Sequence, residues 1–225
     1  EPFSIFPFVA AVTTTLEMVT AVLILPQRQT VLVAKQAAEL AILSGNRFRL
    51  GIGTGWNVVE YVGLNETFST RGKRQAEQVE LLRRLWTEDT FTFDGEFHTI
   101  DAAGINPRPT AAIPIWFGGS APAVLERTGR LGDGWIPLGT PNDASAERLA
   151  AIRAAREAAG LSMAGFTVQA QAQYAGGDPD RWRTHAARWE ALGATHLAIA
   201  THNAGPTDVD GHLARVAEYQ AALAA

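Results

Sequence analysis

Glycines follow two apolar runs of the sequence, at the places where strands of an α/β protein would end. The first group lies in residues 50–56, with glycine at positions 51, 53 and 55. Glycine lets a ligand approach the backbone closely, and its exposed amides can accept negative charge. The spacing differs from the G-x-G-x-x-G dinucleotide motif, because Trp56 occupies the place of the third glycine. The run predicts a ligand-binding loop, and a tight bend without a ligand fits it equally well.

The second group is Gly118-Gly119, which stands between an apolar run and a helical segment and is followed by Ser120. Two flexible amides, a hydroxyl and a helix N-terminus would meet there, and such a group can bind a phosphate. An ordinary serine N-cap explains the same residues, with Pro122 inside the first turn. In the next apolar run, Trp135 fits a core position better than a ligand contact.

Other catalytic motifs are few. No two histidines have the i, i+4 spacing of a zinc-binding helix and the chain has no cysteine, so no metal site is expected. His202 follows the last apolar run and is the histidine considered for substrate contact, against the simpler reading of a surface side chain.

Glu60 and Arg71 flank a loop and would form either a pair or two solvated charges. G-x-S-x-G and P-loop motifs are absent from the sequence, which argues against an α/β-hydrolase and a P-loop nucleotide hydrolase.

Composition predicts one large domain over residues 1–225, because 225 residues with 47% apolar side chains can bury a substantial core. Charged residues make up 19% of the chain, with a net charge of −4 and no basic block, so neither nucleic acid nor a membrane is an expected partner. No apolar run reaches the roughly 18 residues of a membrane span. A soluble, cytoplasmic protein is therefore expected.

Short apolar runs alternate with segments of helical periodicity, and six such pairs can be distinguished. The predicted strands are residues 19–25, 48–52, 113–117, 134–138, 166–173 and 196–200. The predicted helices are residues 31–44, 73–86, one beginning near Ser120, 145–159, one opening at Asp178-Pro179, and 208–222. Six parallel units predict an α/β fold, either a (β/α)₈ barrel or a doubly wound sheet. A whole barrel needs about 250 residues, so two further units are expected upstream of Glu1.

One segment interrupts the alternation. Residues 91–98 alternate apolar and polar side chains around Asp94-Gly95, which predicts a hairpin. The extended stretch Asn106-Pro107-Arg108-Pro109 follows it and must lie outside a helix. Residues 91–110 are therefore predicted to be an insertion between the second helix and the third strand, on the surface or over the site.

The order of short motifs along the chain resembles the luciferase-like monooxygenase family, and within it the actinobacterial deazaflavin-dependent oxidoreductases. The motifs are Leu25-Pro26-Gln27-Arg28, residues 34–38, 43–47 and 50–56, Glu60-Tyr61, Arg71-Gly72, Leu85-Trp86, Gly95-Glu96-Phe97, Pro107-Arg108-Pro109, residues 116–119 and residues 132–135. They are dense up to about Gly139 and sparse after it. The resemblance implies a TIM (β/α)₈ barrel of the luciferase-like type, with about six of its eight units in this chain.

The resemblance also implies a cofactor, either coenzyme F-420, which is a deazaflavin, or FMN, at the C-terminal mouth of the barrel. A non-prolyl cis peptide at the end of the family's third strand supports one face of the ring, and the matching positions are Ala21 and Val22. Thr54, Gly55 and Val59 match positions that line the cofactor.

Gly118 and Gly119 match positions that bind the cofactor's phosphate, with Ser120 beside them, and Trp56 would wall the substrate pocket. The sugar-phosphate dehydrogenase branch has a glutamate where Trp56 stands, which argues against that substrate class. The family's catalytic Asp-His pair would lie upstream of Glu1, so the catalytic acid or base is unknown from this sequence.

The expected function is hydride transfer between the deazaflavin and a small organic substrate, in a protein expected to form a homodimer. The alternatives are an FMN-dependent monooxygenase of the same family and a noncatalytic flavin-binding relative. An unrelated barrel aldolase would need a Schiff-base lysine, but Lys35 and Lys73 both fall on predicted helices. A glycosidase would need a carboxylate pair at the strand ends, which are poor in Asp and Glu.

Overall fold

Short parallel strands alternate with helices along the chain, in two units that we describe in turn. The computed structural model describes residues 1–202, 204–205 and 208–225. The first unit comprises residues 1–118 and 130–133, and the second comprises residues 119–129 and 134–225.

Strand β3 is the centre of the first unit's parallel sheet. The elements of this unit are α1 (Pro2–Val12), β1 (Met18–Val19), β2 (Leu23–Ile24), α2 (Thr30–Leu43), β3 (Phe48–Gly53), α3 (Val58–Gly63), α4 (Arg71–Thr87), β4 (Phe91–Asp94), β5 (Thr99–Ala103) and β6 (Ile115–Gly118). Both β1 and β2 pair with β3 in parallel, and β6 pairs with it in the register Leu50 to Ile115. The near-continuous apolar sequence of β3 fits a strand that is covered on both faces.

Helices α2 and α4 bury apolar stripes in the core of this unit. The alanines Ala34, Ala37 and Ala38 of α2 are fully buried, and small side chains allow a close approach between elements. Leu82 and Val79 supply the buried face of α4. These side chains belong to one apolar cluster with the residues of β3, which fixes the strand ends that matter for the site.

Strand β8 is the centre of the second unit's parallel sheet. The elements are α5 (Pro122–Leu131, whose last two residues belong to the first unit), β7 (Gly134–Ile136), α6 (Asp143–Ala158), β8 (Thr167–Gln173), α7 (Pro179–Ala191), β9 (His196–Ala200) and α8 (Val209–Ala224). Strand β8 pairs in parallel with β7 and with β9. Asn142 and Ser145 form a capping box at the start of α6, and Asp178 caps α7. No helix of the described residues is long and apolar enough to cross a membrane.

The predicted strand–helix units are confirmed in position, with one correction at the first strand. Residues 19–25 do not form one strand: β1 and β2 are separated by residues 20–22, which include the non-prolyl cis peptide Ala21-Val22, and residues Leu25–Gln27 form a 3₁₀ turn. Pairing with β3 covers Met18–Val19 and Leu23–Ile24 and not the residues between them. Both units repeat strand and helix with parallel pairing, and the fold class is α/β.

The predicted N-cap role of Ser120 is wrong. Helix α5 begins at Pro122, and the N–H groups of Val124 and Leu125 donate to the carbonyl of Ala121 at 2.8 and 3.0 Å. Proline suits the first helical position, because an N–H there would have no partner within the helix. The helix therefore begins directly after Ala121.

Helices α1 and α3 were not expected from the sequence.

The hairpin is confirmed, with a longer turn than an Asp-Gly pair would give. Strands β4 and β5 are antiparallel, and Asp94 pairs with Thr99, so four residues form the turn. The Glu77 carboxylate of α4 explains this length. It accepts hydrogen bonds from the N–H groups of Glu96 and Phe97 at 2.7 and 2.9 Å.

His98 completes this contact between α4 and the hairpin. Its Nδ1 lies 2.7 Å from Glu77 Oε1, and because a carboxylate accepts, Nδ1 carries the proton. Its Nε2 lies 2.7 Å from the hydroxyl of Thr30, the first residue of α2. The hairpin is thus anchored to two helices of the first unit.

Candidate functional site

The side chain of Val22 lies over the C-terminal ends of β3 and β6. A Cβ atom built at Gly53 would stand 2.6 Å from Val22 Cγ2, and one built at Gly118 would stand 2.6 Å from Val22 Cγ1. Carbon atoms in contact are normally about 3.5–4.0 Å apart, so any side chain at either position would displace the valine. Val22 is 38% exposed at this position between two strand ends.

The backbone on both sides of Val22 is anchored to β3. The Thr20 hydroxyl donates a buried hydrogen bond of 2.7 Å to the carbonyl of Gly51. After the Ala21-Val22 cis peptide, Leu23 resumes the parallel register opposite Ile52. The cis peptide implied by the family resemblance is confirmed at these two residues.

Gln78 holds the turn that follows β2, a role that the sequence analysis missed. Its fully buried side-chain amide lies 3.2 Å from the carbonyl oxygens of both Leu25 and Arg28, and 3.0 Å from the Thr30 hydroxyl. An amide nitrogen has two hydrogens, so these three oxygens share them. A glutamine on the apolar face of a predicted helix was the available signal, since buried amides are seldom without a structural reason.

The loop after β3 is held by Tyr61. Its hydroxyl donates to the carbonyl of Thr54 at 2.6 Å, and its ring packs edge-on against Phe68. Burial raises the pKa of Tyr61 to about 12, so the phenol stays protonated and remains a donor at ordinary pH. Gly55 has a φ of 65°, and a Cβ there would stand 3.0 Å from Ile24 Cγ2. Glycine is thus required at this position for both conformation and space.

Trp56 and Val59 are large apolar side chains left in water after β3. Trp56 is 85% exposed and Val59 is 76% exposed, and Val62 of the same helix α3 is exposed as well. Adjacent exposed apolar side chains are a common mark of a binding surface. The roles given to Trp56 in the substrate pocket and to Val59 beside the cofactor stay predictions.

Glu60 and Arg71 have different partners in the described part of the chain. The Glu60 carboxylate accepts from the side-chain amides of Gln27 and Asn57, both at 3.2 Å. The Arg71 guanidinium lies 3.7 Å from the centre of the Phe68 ring and donates to the carbonyl of the same residue. Both side chains therefore support the loop around α3 rather than each other.

Gly119 and Ser120 belong to the second unit. The Gly119 carbonyl accepts from Trp135 Nε1 at 2.8 Å, and its N–H reaches the carbonyl of Ile136 at 3.4 Å, which is long for such a bond. Gly119 has a φ of 120°, a conformation that favours glycine. The core position of Trp135 is confirmed, since the side chain is fully buried. Phosphate binding by Gly118, Gly119 and Ser120 stays a prediction.

His202 lies exposed in the turn after β9, and its contact with substrate stays a prediction. Among the residues that the structure describes, no three His, Cys, Asp or Glu side chains form a group that could hold a metal ion.

The site of the first unit fits a planar ring. An exposed aliphatic side chain lies between two glycines at strand ends, so a flat apolar body can rest on Val22 without meeting neighbouring side chains. The segments 20–22, 53–56 and residue 118 contain no ionisable side chain. This arrangement can bind and orient a ring and exclude water from one of its faces, and it supplies no acid or base.

The chain matches the luciferase-like monooxygenase family model over residues 1–224. An uncharacterized protein of Mycobacterium tuberculosis is 42% identical over 177 residues, which is 75% of this chain and 61% of that protein. The F-420-dependent glucose-6-phosphate dehydrogenase of Kineococcus radiotolerans is 36% identical over 160 residues, 68% of this chain and 47% of that enzyme. The chain thus spans less than two thirds of the length of these relatives.

Solved structures share the fold at lower identity. An F-420-dependent secondary alcohol dehydrogenase, in complex with an F-420–acetone adduct, has a TM-score of 0.71 at 17% identity. The match covers 99% of this chain and 76% of the dehydrogenase chain. A monooxygenase from Streptomyces bottropensis has a TM-score of 0.70 at 22% identity, and the match covers 97% of this chain and 66% of the monooxygenase chain. The fold is therefore the luciferase-like type of TIM barrel, of which this chain carries a part. With the family model matched over almost the whole sequence, the chain belongs to the luciferase-like monooxygenase family.

Proposed function

We propose that this protein is an oxidoreductase that uses coenzyme F-420 to transfer a hydride to or from a small organic substrate. The observation that carries the proposal is the position of Val22 between Gly53 and Gly118, at the C-terminal ends of β3 and β6. The family resemblance implies a ring support at Ala21 and Val22.

The residues of the site would bind and orient the coenzyme. Val22 would contact one face of the ring through its methyl groups, and Thr54 and Gly55 would line the ring from the loop that Tyr61 holds. When bound, the deazaflavin supplies the hydride donor or acceptor at its C5 atom, so the protein's task is orientation and exclusion of water. The proposal keeps Gly119 among the phosphate contacts, as the resemblance implies.

Two relatives support the deazaflavin over FMN. The Kineococcus enzyme and the secondary alcohol dehydrogenase are both F-420-dependent by name, and the former is 36% identical to this chain. The alternative is an FMN-dependent monooxygenase, and the family description and the Streptomyces structure each name a monooxygenase. Val22 would support either ring, because it would contact only an apolar face of the kind that the two cofactors share.

Trp56 supports a substrate other than a sugar phosphate. It stands where the sugar-phosphate dehydrogenase branch has a glutamate proton donor, and an indole N–H can donate a hydrogen bond but cannot transfer a proton as a carboxyl group does. Its exposed ring would instead cover an apolar part of the substrate. We therefore propose a less polar substrate for this protein than for the Kineococcus relative.

Parallel titrations of the full-length protein with coenzyme F-420 and with FMN test the proposal. We expect a change in deazaflavin fluorescence on binding, with FMN at least about tenfold weaker, a difference of about 1.4 kcal/mol. Tighter FMN binding would favour the monooxygenase. If the protein binds neither cofactor, both the F-420-dependent oxidoreductase and the FMN-dependent monooxygenase are contradicted.

A pair of variants connects the titration to the site. Val22→Glu places a charge where the ring is proposed to lie, and it should weaken coenzyme binding by about tenfold or more. Leu43→Glu is the matched control, because Leu43 is an equally aliphatic, exposed residue at the end of α2. It should leave the affinity within about twofold.

The remaining expectations about partners and location are part of the same proposal. A homodimer is to be tested by light scattering of the full-length protein. A cytoplasmic location, a small-molecule substrate and the lack of nucleic-acid and membrane partners stay predictions.

A further inference from the structure

The second unit contains a cavity of about 450 Å³. Small-molecule sites typically measure about 300–1,000 Å³, so this volume suits a compact ligand. The cavity lies among the C-terminal half of β8, helix α7 and the segment that follows β7. Its lining residues are Gly139, Thr140, Pro141, Gln171, Ala172, Gln173, Ala175, Arg181, Trp182, Thr184, His185, Arg188 and Tyr219.

One wall of the cavity is cationic. Arg181, His185 and Arg188 follow one another at spacings of four and three residues along α7, so they share a face of that helix. None of the lining residues is acidic. Two guanidinium groups beside an imidazole, with no carboxylate among the lining residues, favour an anionic ligand.

Two of these side chains are oriented by backbone carbonyls. Arg181 donates one hydrogen bond of 2.7 Å to the carbonyl of Ala175, and a guanidinium has five N–H donors, so this bond leaves capacity for a ligand. His185 Nε2 lies 2.9 Å from the carbonyl of Gln171. Because a carbonyl can only accept, Nε2 carries the proton, and the imidazole is fixed in orientation.

Tyr219, one of the residues that line the cavity, has a buried hydroxyl. Tyr219 is 3% exposed, and its hydroxyl has no hydrogen-bond partner among the described residues. Burial raises the pKa of Tyr219, so the phenol is protonated and can donate. Its neighbour Tyr174 differs, since that hydroxyl donates to Glu218 at 2.6 Å and accepts from Arg215 at 3.0 Å. A buried hydroxyl without a partner is costly, and a bound oxygen acceptor would satisfy it.

The floor of the cavity is aromatic. The rings of Trp182 and Tyr219 have centroids 4.9 Å apart, and Trp182 Nε1 donates to the carbonyl of Tyr174 at 3.0 Å. The indole donor is thus occupied within the protein, and the part of the ring that lines the cavity is apolar. An apolar group of a ligand can rest on this floor while an acidic group meets the α7 wall.

We propose that this cavity is a second ligand site, which binds a small organic anion with a flat apolar body and one phosphate or carboxylate group. The guanidinium geometry matches both anions, which is why both chemistries are named. The inference goes beyond the proposed function, since every residue that carries it lies outside the residues assigned to the coenzyme.

Calorimetric titrations of the full-length protein without coenzyme test the inference, with phenyl phosphate, benzoate and neutral benzyl alcohol as probes. At least one anion should bind, and benzyl alcohol should bind at least about tenfold more weakly. Tighter binding of phenyl phosphate identifies a phosphate ester as the ligand type, and tighter binding of benzoate identifies a carboxylate.

Charge-removing variants assign the binding to this cavity. Arg181→Gln and Arg188→Gln should each lower the affinity for the more tightly bound anion by about tenfold. Arg183→Gln is the control on the same helix, because Arg183 bonds to Asp180 and to the carbonyl of Ala222 and does not line the cavity. It should change the affinity by less than about twofold.

Tyr219→Phe removes only the buried hydroxyl. It should weaken anion binding by about threefold without lowering the melting temperature, because the hydroxyl has no partner to lose within the described residues. The inference is overturned if neither anion binds at millimolar concentration, if benzyl alcohol binds as tightly, if Arg183→Gln has the larger effect, or if coenzyme F-420 competes with the anion.

Discussion

The Cγ1 methyl of Val22 occupies the space that a side chain at position 118 would need. A Cβ atom on Gly118 would stand 2.6 Å from this methyl, and the carbonyl of Ile52 limits the space on another side at 3.6 Å. The valine therefore depends on glycine at the end of a different strand. This dependence explains why glycine ends β6 at position 118, and it makes the proposed ring support open to a direct mutational test.

Gly118→Ala should lower the free energy of unfolding by about 1–3 kcal/mol, because the added methyl group overpacks against Val22. Val22→Ala in the same chain should restore most of this loss by removing the opposing methyl groups. The measurement is urea unfolding of the two variants and the double variant. Gly63→Ala is the control, since nothing lies within 4 Å of a Cβ there, and it should be neutral or stabilising. Equal losses in Gly118→Ala and Gly63→Ala would contradict the contact.

Removal of the Tyr61 hydroxyl should destabilise the loop after β3. Tyr61→Phe deletes the 2.6 Å hydrogen bond to the Thr54 carbonyl and should cost about 1–2 kcal/mol of unfolding free energy. Tyr219→Phe provides the comparison, because that hydroxyl has no partner among the described residues, and it should cost less than about 0.5 kcal/mol. Chemical denaturation at pH 7 measures both. The reverse order of the two costs would show that the Thr54 contact does not hold the loop.

The hairpin contact of Glu77 should make stability depend on acid pH. Burial acts to raise the pKa of Glu77, but hydrogen bonds from His98 and from the N–H groups of Phe97 and Glu96 together hold it below its ordinary value. A lowered pKa contributes stability that is fully present above the unfolded value of about 4.3, and this stability is lost as the pH falls through the folded pKa.

Glu77→Gln should therefore cost on the order of 2 kcal/mol at pH 7 and flatten the decline in stability below about pH 4.5. Unfolding free energies from pH 7 to pH 3 give both quantities. Glu80→Gln is the matched control, because Glu80 is exposed on the same helix. An unchanged slope in Glu77→Gln would rule out this carboxylate as the source of the acid sensitivity.

The sequence predicted the units of the fold because periodicity reports which face of an element is buried. It could not predict the interruption of residues 19–25, since β1, the cis peptide and β2 together form one apolar run without a breaking residue. The cis peptide came from the family resemblance alone. Helix α1 contains Pro7 and helix α3 has only six residues, so neither has the regular pattern that identifies a helix.

The candidate site was predictable where glycine marks the strand ends, and not where polar side chains support them. Tyr61 and Gln78 act through backbone carbonyls of residues distant in sequence or on another element, and no local pattern shows which carbonyl a buried side chain will meet. The N-cap role of Ser120 failed for a related reason. Ser120 and Pro122 both carry helix-start signals, and the proline fixed the first helical position.

Trp56→Ala should separate substrate binding from coenzyme binding. Trp56 is mostly in water, so its removal should change the unfolding free energy by less than about 0.5 kcal/mol. If the indole covers the substrate, KM for a substrate of the full-length enzyme should rise about tenfold, while the Kd for coenzyme F-420 stays within about twofold. An equal change in both constants would place Trp56 at the coenzyme instead.

Hydrogen exchange of the full-length protein with and without coenzyme F-420 tests the central claim most directly, because it reports where the ring lies. The account predicts that the coenzyme slows exchange in peptides covering residues 20–24 and 53–56, around Val22, and leaves the hairpin at residues 91–103 unchanged. Binding without slower exchange around Val22, or with slower exchange confined to other segments, would contradict it.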